Sequence, residues 1–371
     1  MGSGRLSRRS LLVSGLLSGV ALRLPGEGGR GTTFPAASRR YPDPTTELEV
    51  FLLTDPAYSS TLPAYYNRAL AHNSGSLYFT SDRGGSAQAF RMDLKTAQTR
   101  QLTDAADLDG ISLTLTPDNR SLGYFAGRAL TLTNLASLRD RKLYEVAEGW
   151  ERCPGMNIGP DGTHAVFAEK KGDGSRLRMV SLVQGAAATV VEAPFAMSDP
   201  IARPMRAQVL YRNGDQALWL VNSDGKQNRQ LKLAAGKVGP ANWAPDGKTL
   251  LYLSYPEDPS QLNTIREHTP DTNTDKMVAK TSQFVQFGFN HDTSVFVGAS
   301  RNAGSPVVLL LLRVTRRELT LCEHRASTPA MVAPRFSPDS QRIYFQSDRH
   351  GKPAIYDMHV EKLVEKTGID G

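Results

Sequence analysis

Cysteine is nearly missing from this chain. Cys153 and Cys322 are the only two among 371 residues and stand 322 − 153 = 169 positions apart. No disulfide framework is written here, and the pair reads as two separate, part-buried thiols. Helical periodicity is missing too: no long stretch keeps apolar residues three and four apart. Long apolar runs are equally scarce. VVLLLLRV at 307–314 has the eight-residue length of a buried strand and is far too short to cross a membrane. The formal charge of +7 invites a nucleic-acid reading until it is located. Residues 1–40 hold seven arginines (5, 8, 9, 23, 30, 39, 40) against Glu27 alone, a balance of +6, which leaves +1 for the other 331 residues. A body so close to neutral gives no support to DNA or RNA as a partner.

The basic segment has its own explanation. SRRSLLVSGLLSGVAL pairs Arg8 and Arg9 ahead of a short, Gly/Ser-diluted apolar run from Leu11 to Leu22. That pattern is similar to a twin-arginine export signal, so a periplasmic or secreted protein is expected, without a membrane span. Residues 23–45 are rich in Gly, Pro, Arg and Thr and read as a flexible linker. The expected organisation is therefore a signal segment at 1–22, a linker at 23–45, one folded body at 46–365 and a tail at 366–371.

What the chain does have is repetition. YFTSDRGGSAQAFRMDL at 78–94 returns as YFQSDRHGKPAIYDMHV at 344–360, with Tyr, Phe, Ser, Asp, Arg, Gly and Met in register. A turn signature recurs at Asn73, Asp118, Asp161, Asp246, Asp292 and Asp339, in steps of 45, 43, 85, 46 and 47. The double step hides one weak copy, RPMR at 203–206, which makes seven copies. Each copy carries a short strand, the Asp/Pro/Gly turn, an alternating strand such as TLLYLSY, a Gly-bearing turn, and two further strands. Seven copies of four strands at about 44 residues each describe an all-β, seven-bladed β-propeller. The last copy supplies three strands, and TELEVFLLTD at 46–55 is the candidate fourth, an N-terminal strand that closes the last blade.

The turn grammar with YxxSDRxG resembles the TolB-type, WD-like propeller repeat. More narrowly, AYYNRALAHNSGSLYF, EGWERCPGM, SDPIARPMRAQVLY, ALWLVNSDGKQNR, ANWAPDGKTLLYLSY and TSQFVQFGFNHDTSVFVGAS resemble the oligogalacturonate lyase family over nearly the whole body. That resemblance implies β-elimination on acidic, uronate oligosaccharides of the kind met in pectin degradation. It also implies manganese or another divalent metal on three histidines and a glutamine, with a further His and Arg at the propeller mouth. The matching positions here are mostly substituted. The blade-six metal His falls on Gln286, and the Gln/His/His cluster falls on Thr328, Met331 and Ala333. Two more histidines fall on Asp199 and Pro240.

Arginine then becomes the candidate for carboxylate recognition. Arg203 and Arg212 are the candidate catalytic cations, Arg203 on an inner strand expected to face the funnel. Arg68, Asp199 and Trp243 are candidate substrate contacts, and Gln286 is a candidate metal or sugar ligand. Arg68 and Arg203 have a structural reading as well, as bridges between blades, and Trp243 as blade core. Two functions stay open: a monomeric lyase-type enzyme with a rearranged or metal-poor site, and a non-catalytic binding or scaffold propeller with an acidic oligosaccharide or a protein as partner.

Overall fold

The computed structural model describes residues 28–258 and 260–364; the export signal expected at 1–22 and the tail at 366–371 lie outside them. Among the described residues, seven antiparallel sheets follow one another around a ring, with one short helix, Glu361–Val364. This is the expected seven-bladed propeller. The inner strands are Ser60–Thr61, Leu108–Leu115, Glu151–Ile158, Met197–Ala202, Lys237–Trp243, Phe284–Phe289 and Arg335–Phe336, for blades 1 to 7. Seven clusters of buried side chains fill the seven gaps between neighbouring blades. The alternating strands thus have two apolar faces, each packed on a neighbour.

The recurring Asp is the reason for the period. After five inner strands its side chain accepts the N–H two residues on: Asp118 from Arg120 (3.0 Å), Asp161 from Thr163 (3.0 Å), Asp246 from Lys248 (2.9 Å), Asp292 from Ser294 (3.0 Å) and Asp339 from Gln341 (3.1 Å). The residue after each Asp takes a left-handed conformation, with φ between 57° and 69°. Met205 does so at 59° in the weak copy without an Asp. We call the side with these turns the turn face and the opposite side the mouth.

Ring closure follows the expected clasp and then exceeds it. Glu49–Leu52 pairs antiparallel with Ala354–His359, Phe51 opposite Asp357, so the first strand of the body completes the last blade. Residues 28–45, expected as linker, are not one. Thr33–Phe34 adds a fifth strand to blade 1 and Arg39–Pro42 a fifth strand to blade 7. Upstream, Arg30 reaches blade 2 at Leu138 O (2.6 Å) and Asp140. Downstream, Asp43 accepts from Glu323 N (2.9 Å) and Thr46 donates to Leu321 O (2.7 Å), both in blade 6. One segment thus belts the rim of four blades. A Gly/Pro composition concealed this because each strand is short and takes its partners from distant sequence.

The repeated SDR hairpins hold that belt. Arg83 lies 4.7 Å from the Phe34 ring centre and Arg349 lies 5.3 Å from that of Tyr41. Asp82 and Asp348 each accept a backbone N–H at 2.8 Å, from Ser59 and Ser327, just before the inner strand of their own blade.

Candidate functional site at the propeller mouth

Five inner strands break register on the mouth side: at 109–114, 152–156, 198–201, 238–241 and 284–286. These stretches leave the ladder and line the mouth. In blades 3, 4 and 5 the sequence explains the break, since Pro154, Pro200 and Pro240 have no N–H for a ladder and bulges are where a sheet tolerates that. Proline inside an alternating strand was the signal for those three stretches, and the breaks in blades 2 and 6 carry no such mark.

The channel behind the mouth is crossed by residues 63–67, PAYYN, an excursion of the chain between Thr61 and the start of the blade-1 turn. Ala64 N donates to Ile111 O of blade 2 (3.1 Å), and Asn67 Oδ1 accepts from Asn157 of blade 3 (3.3 Å). Tyr66 Oη donates to Asp199 of blade 4 (2.9 Å), and Tyr65 Oη both donates to and accepts from the backbone of Ala241 in blade 5 (3.1 and 3.0 Å). Arg335 of blade 7 donates to Pro63 O (2.8 Å) and Asn67 O (3.4 Å). The plug touches five of the six other blades. Burial holds both tyrosine hydroxyls above their ordinary range, Tyr66 further because the Asp199 carboxylate faces it.

Asp199 is the chemically prominent group here. It sits in a bulge with φ of 44°, a conformation that costs a non-glycine residue and needs surrounding structure to hold it. Gly155 supplies part of that structure: its φ is 90°, and a Cβ there would meet Tyr66 Oη at 2.5 Å and Asp199 Cα at 2.8 Å. One carboxylate oxygen accepts from Tyr66; the other lies 3.9 Å from Arg212 Nε, and the side chain keeps 32% of its surface exposed. A second acid, Asp109, is paired at the mouth with Arg152 at 2.6 Å.

The arginines lie differently from their expected places. Arg203 is not at the mouth. It follows the inner strand of blade 4 at the turn face, 2% exposed, where it lines a groove of about 530 Å³ between blades 3 and 4. Its guanidinium turns away to blade 5, to Gly247 O (2.7 Å) and Asp271 (2.9 Å). Arg68 does the same from blade 1 to blade 2, on Thr116 O and Asn119 Oδ1, both at 2.9 Å. Arg212 is at the mouth, but donates to Val238 O (3.0 Å) and Gly239 O of blade 5. All three bridge neighbouring blades. Trp243 is likewise core, 4% exposed, with Arg203 4.9 Å from its ring centre.

The family model for oligogalacturonate lyase matches residues 29–174. The oligogalacturonide lyase of Pectobacterium atrosepticum and the oligogalacturonate lyase of Dickeya dadantii are each 25% identical over 377 residues, 88% of this chain and 97% of the relative. A solved oligogalacturonate lyase in complex with manganese, 25% identical, superposes with a TM-score of 0.85 over 90% of this chain and 98% of its own. The chain is similar to oligogalacturonate lyases along its body. Its residues do not fit the metal centre that this similarity implies. Gln286 sits in the blade-6 bulge with Oε1 lacking a partner among the described residues. The 3₁₀ turn Pro329–Val332 that packs against that strand offers Thr328 as its cap, Met331 within it and Ala333 at its end. One amide, one hydroxyl, one thioether and one methyl do not make a site for a hard divalent cation. No group of three or more His, Cys, Asp or Glu among the described residues is arranged to hold a metal.

Proposed function

We propose that this chain is an exported lyase-type propeller that acts on acidic, uronate oligosaccharides by β-elimination at its mouth, without the histidine metal centre. The reading is carried by the near-complete superposition on an oligogalacturonate lyase, TM-score 0.85 over 98% of that chain. Asp199 is the base we assign. Its carboxylate takes the proton from the carbon next to the uronate carboxylate; the electron pair forms the C=C bond, the glycosidic C–O bond breaks, and the departing oxygen takes a proton from water. Tyr66 and Arg212 hold the carboxylate for that step.

The test is the ultraviolet absorbance of the conjugated product during incubation with di- and trigalacturonate. Asp199→Asn is expected to lower kcat by about 10²–10⁴ with little change in KM. No absorbance change from the wild-type protein, with or without added manganese, overturns the enzyme. Calorimetric binding without turnover would then establish the binding module, the reading favoured by Thr328, Met331 and Ala333. Export rests on Arg8 and Arg9 ahead of the Leu11–Leu22 run. Changing both arginines to lysine is expected to retain the protein in the cytoplasm, and unchanged periplasmic recovery rejects that route.

A further inference from the structure

The segment that leads into the inner strand of blade 3, EGW at 148–150, sets a tryptophan on the mouth side. Of the three tryptophans, Trp219 and Trp243 have their indole N–H buried, and Trp150 does not. The Arg176 guanidinium lies over the Trp150 ring, 3.7 Å from its centre. Arg176 is in turn fixed by the fully buried Glu169 (2.8 Å), which also accepts from Tyr144 Oη (2.7 Å). Trp150 is thereby held in place where it lines a cavity of about 420 Å³ on the rim of blade 3.

Lys171, Glu192 and Pro194 line the same cavity. Lys171 Nζ stands 4.0 Å from the place a Cβ on Gly149 would take, next to Trp150 in the chain. The adjacent Lys170 is paired with Glu151 (3.1 Å). Lys171 and Glu192 are exposed and have no ion-pair partner within 4.0 Å among the described residues, each other included. An aromatic ring with one free amine and one free carboxylate complements an acidic sugar. The C–H face of the sugar packs on the indole, Glu192 accepts from hydroxyls, and Lys171 takes the carboxylate. Both walls of the cavity lead to Asp199. Trp150 is five residues before Gly155, whose Cβ position lies 2.8 Å from Asp199 Cα, and Pro194 is five residues before Asp199 itself. Five extended residues span at most about 17 Å, within reach of an oligomer that has another ring at Asp199.

We propose that this cavity is a distal subsite for a uronate ring of a longer oligosaccharide, with Trp150 as platform and Lys171 as carboxylate partner. The class of sugar rests on the lyase-type reading above. The subsite gives the protein a preference for longer chains over dimers.

Calorimetry compares digalacturonate with pentagalacturonate on the full chain carrying Asp199→Asn, so that no ligand is consumed. The pentamer is expected to bind about ten- to a hundred-fold tighter, the range for one charge-assisted contact. In Trp150→Ala on the same background, that advantage is expected to shrink to the few-fold a longer chain gains from its extra binding registers. Only a few-fold advantage in the parent protein, or one of the same size in Trp150→Ala, overturns the subsite and leaves Trp150 as packing over Arg176. Should Trp150→Ala fail to fold, Lys171→Gln, at an exposed position, decides in its place by the same comparison. Turnover of digalacturonate by the wild type without a length preference sinks the subsite and leaves the lyase. A length preference that depends on Trp150, in a protein whose wild type gives no absorbance change, upholds the subsite and sinks the lyase.

Discussion

Asp357 is fully buried on the third strand of blade 7, between Tyr344 and the clasp residue Phe51. Burial raises its carboxyl to about 6, against the opposing pull of Arg342 at 2.5 Å. The ion pair does not restore the ordinary value because Arg342 is one-third exposed to water while Asp357 is not. A carboxyl whose folded pKa exceeds its unfolded value contributes stability below the unfolded pKa and loses it as pH rises through the folded one. Wild type should therefore lose ground to Asp357→Asn as pH rises from about 4 to about 6, by at most roughly 3 kcal/mol, and hold a constant gap above. Parallel urea titrations of both proteins check this; a gap independent of pH contradicts it. The site residues teach a related lesson. Arg68, Arg203 and Arg212 were legible as candidate cations, and for Arg68 and Arg203 a bridging role was one of two readings open. Which reading held depended on carbonyls of the next blade, some 26 to 48 residues away in sequence.

At the scale of elements, strands and turns followed from period-two alternation and from the Asp that closes each turn. The clasp strand was legible too, because the last copy is one strand short. The belt was not. Its strands, Thr33–Phe34 and Arg39–Pro42, are two and four residues long, and nothing local distinguishes them from linker. Their worth is testable. Removing residues 28–42 should destabilise the purified protein by a few kcal/mol, since each rim hydrogen bond it takes away contributes about 1 kcal/mol net. Removing 28–54 also takes the clasp, and should replace the single melting transition with a broad, uncooperative one. Calorimetry that shows the first deletion as stable as wild type rejects the belt, and a second deletion that melts like the first rejects the clasp.

At the scale of the molecule, the ring was determined by the sequence. Seven spaced turns, strands with two apolar faces and one displaced strand leave a closed propeller as the arrangement that buries every face and leaves only short edges. Each of those signals is local or periodic, so a linear reading recovers them. The resemblance to oligogalacturonate lyases was recoverable in the same way, because it is spread along the chain. Only the tertiary structure decided what fills the mouth. The plug at 63–67 meets Asp199 and Ala241, 133 and 176 residues away. Five bulges aim residues that the alternation alone would have placed elsewhere. Among the described residues the buried Arg335 faces no carboxylate, for reasons no neighbour in sequence reveals. Burial and charge pairing are sums over atoms brought together by closing the ring, and they acquire values only once it is closed.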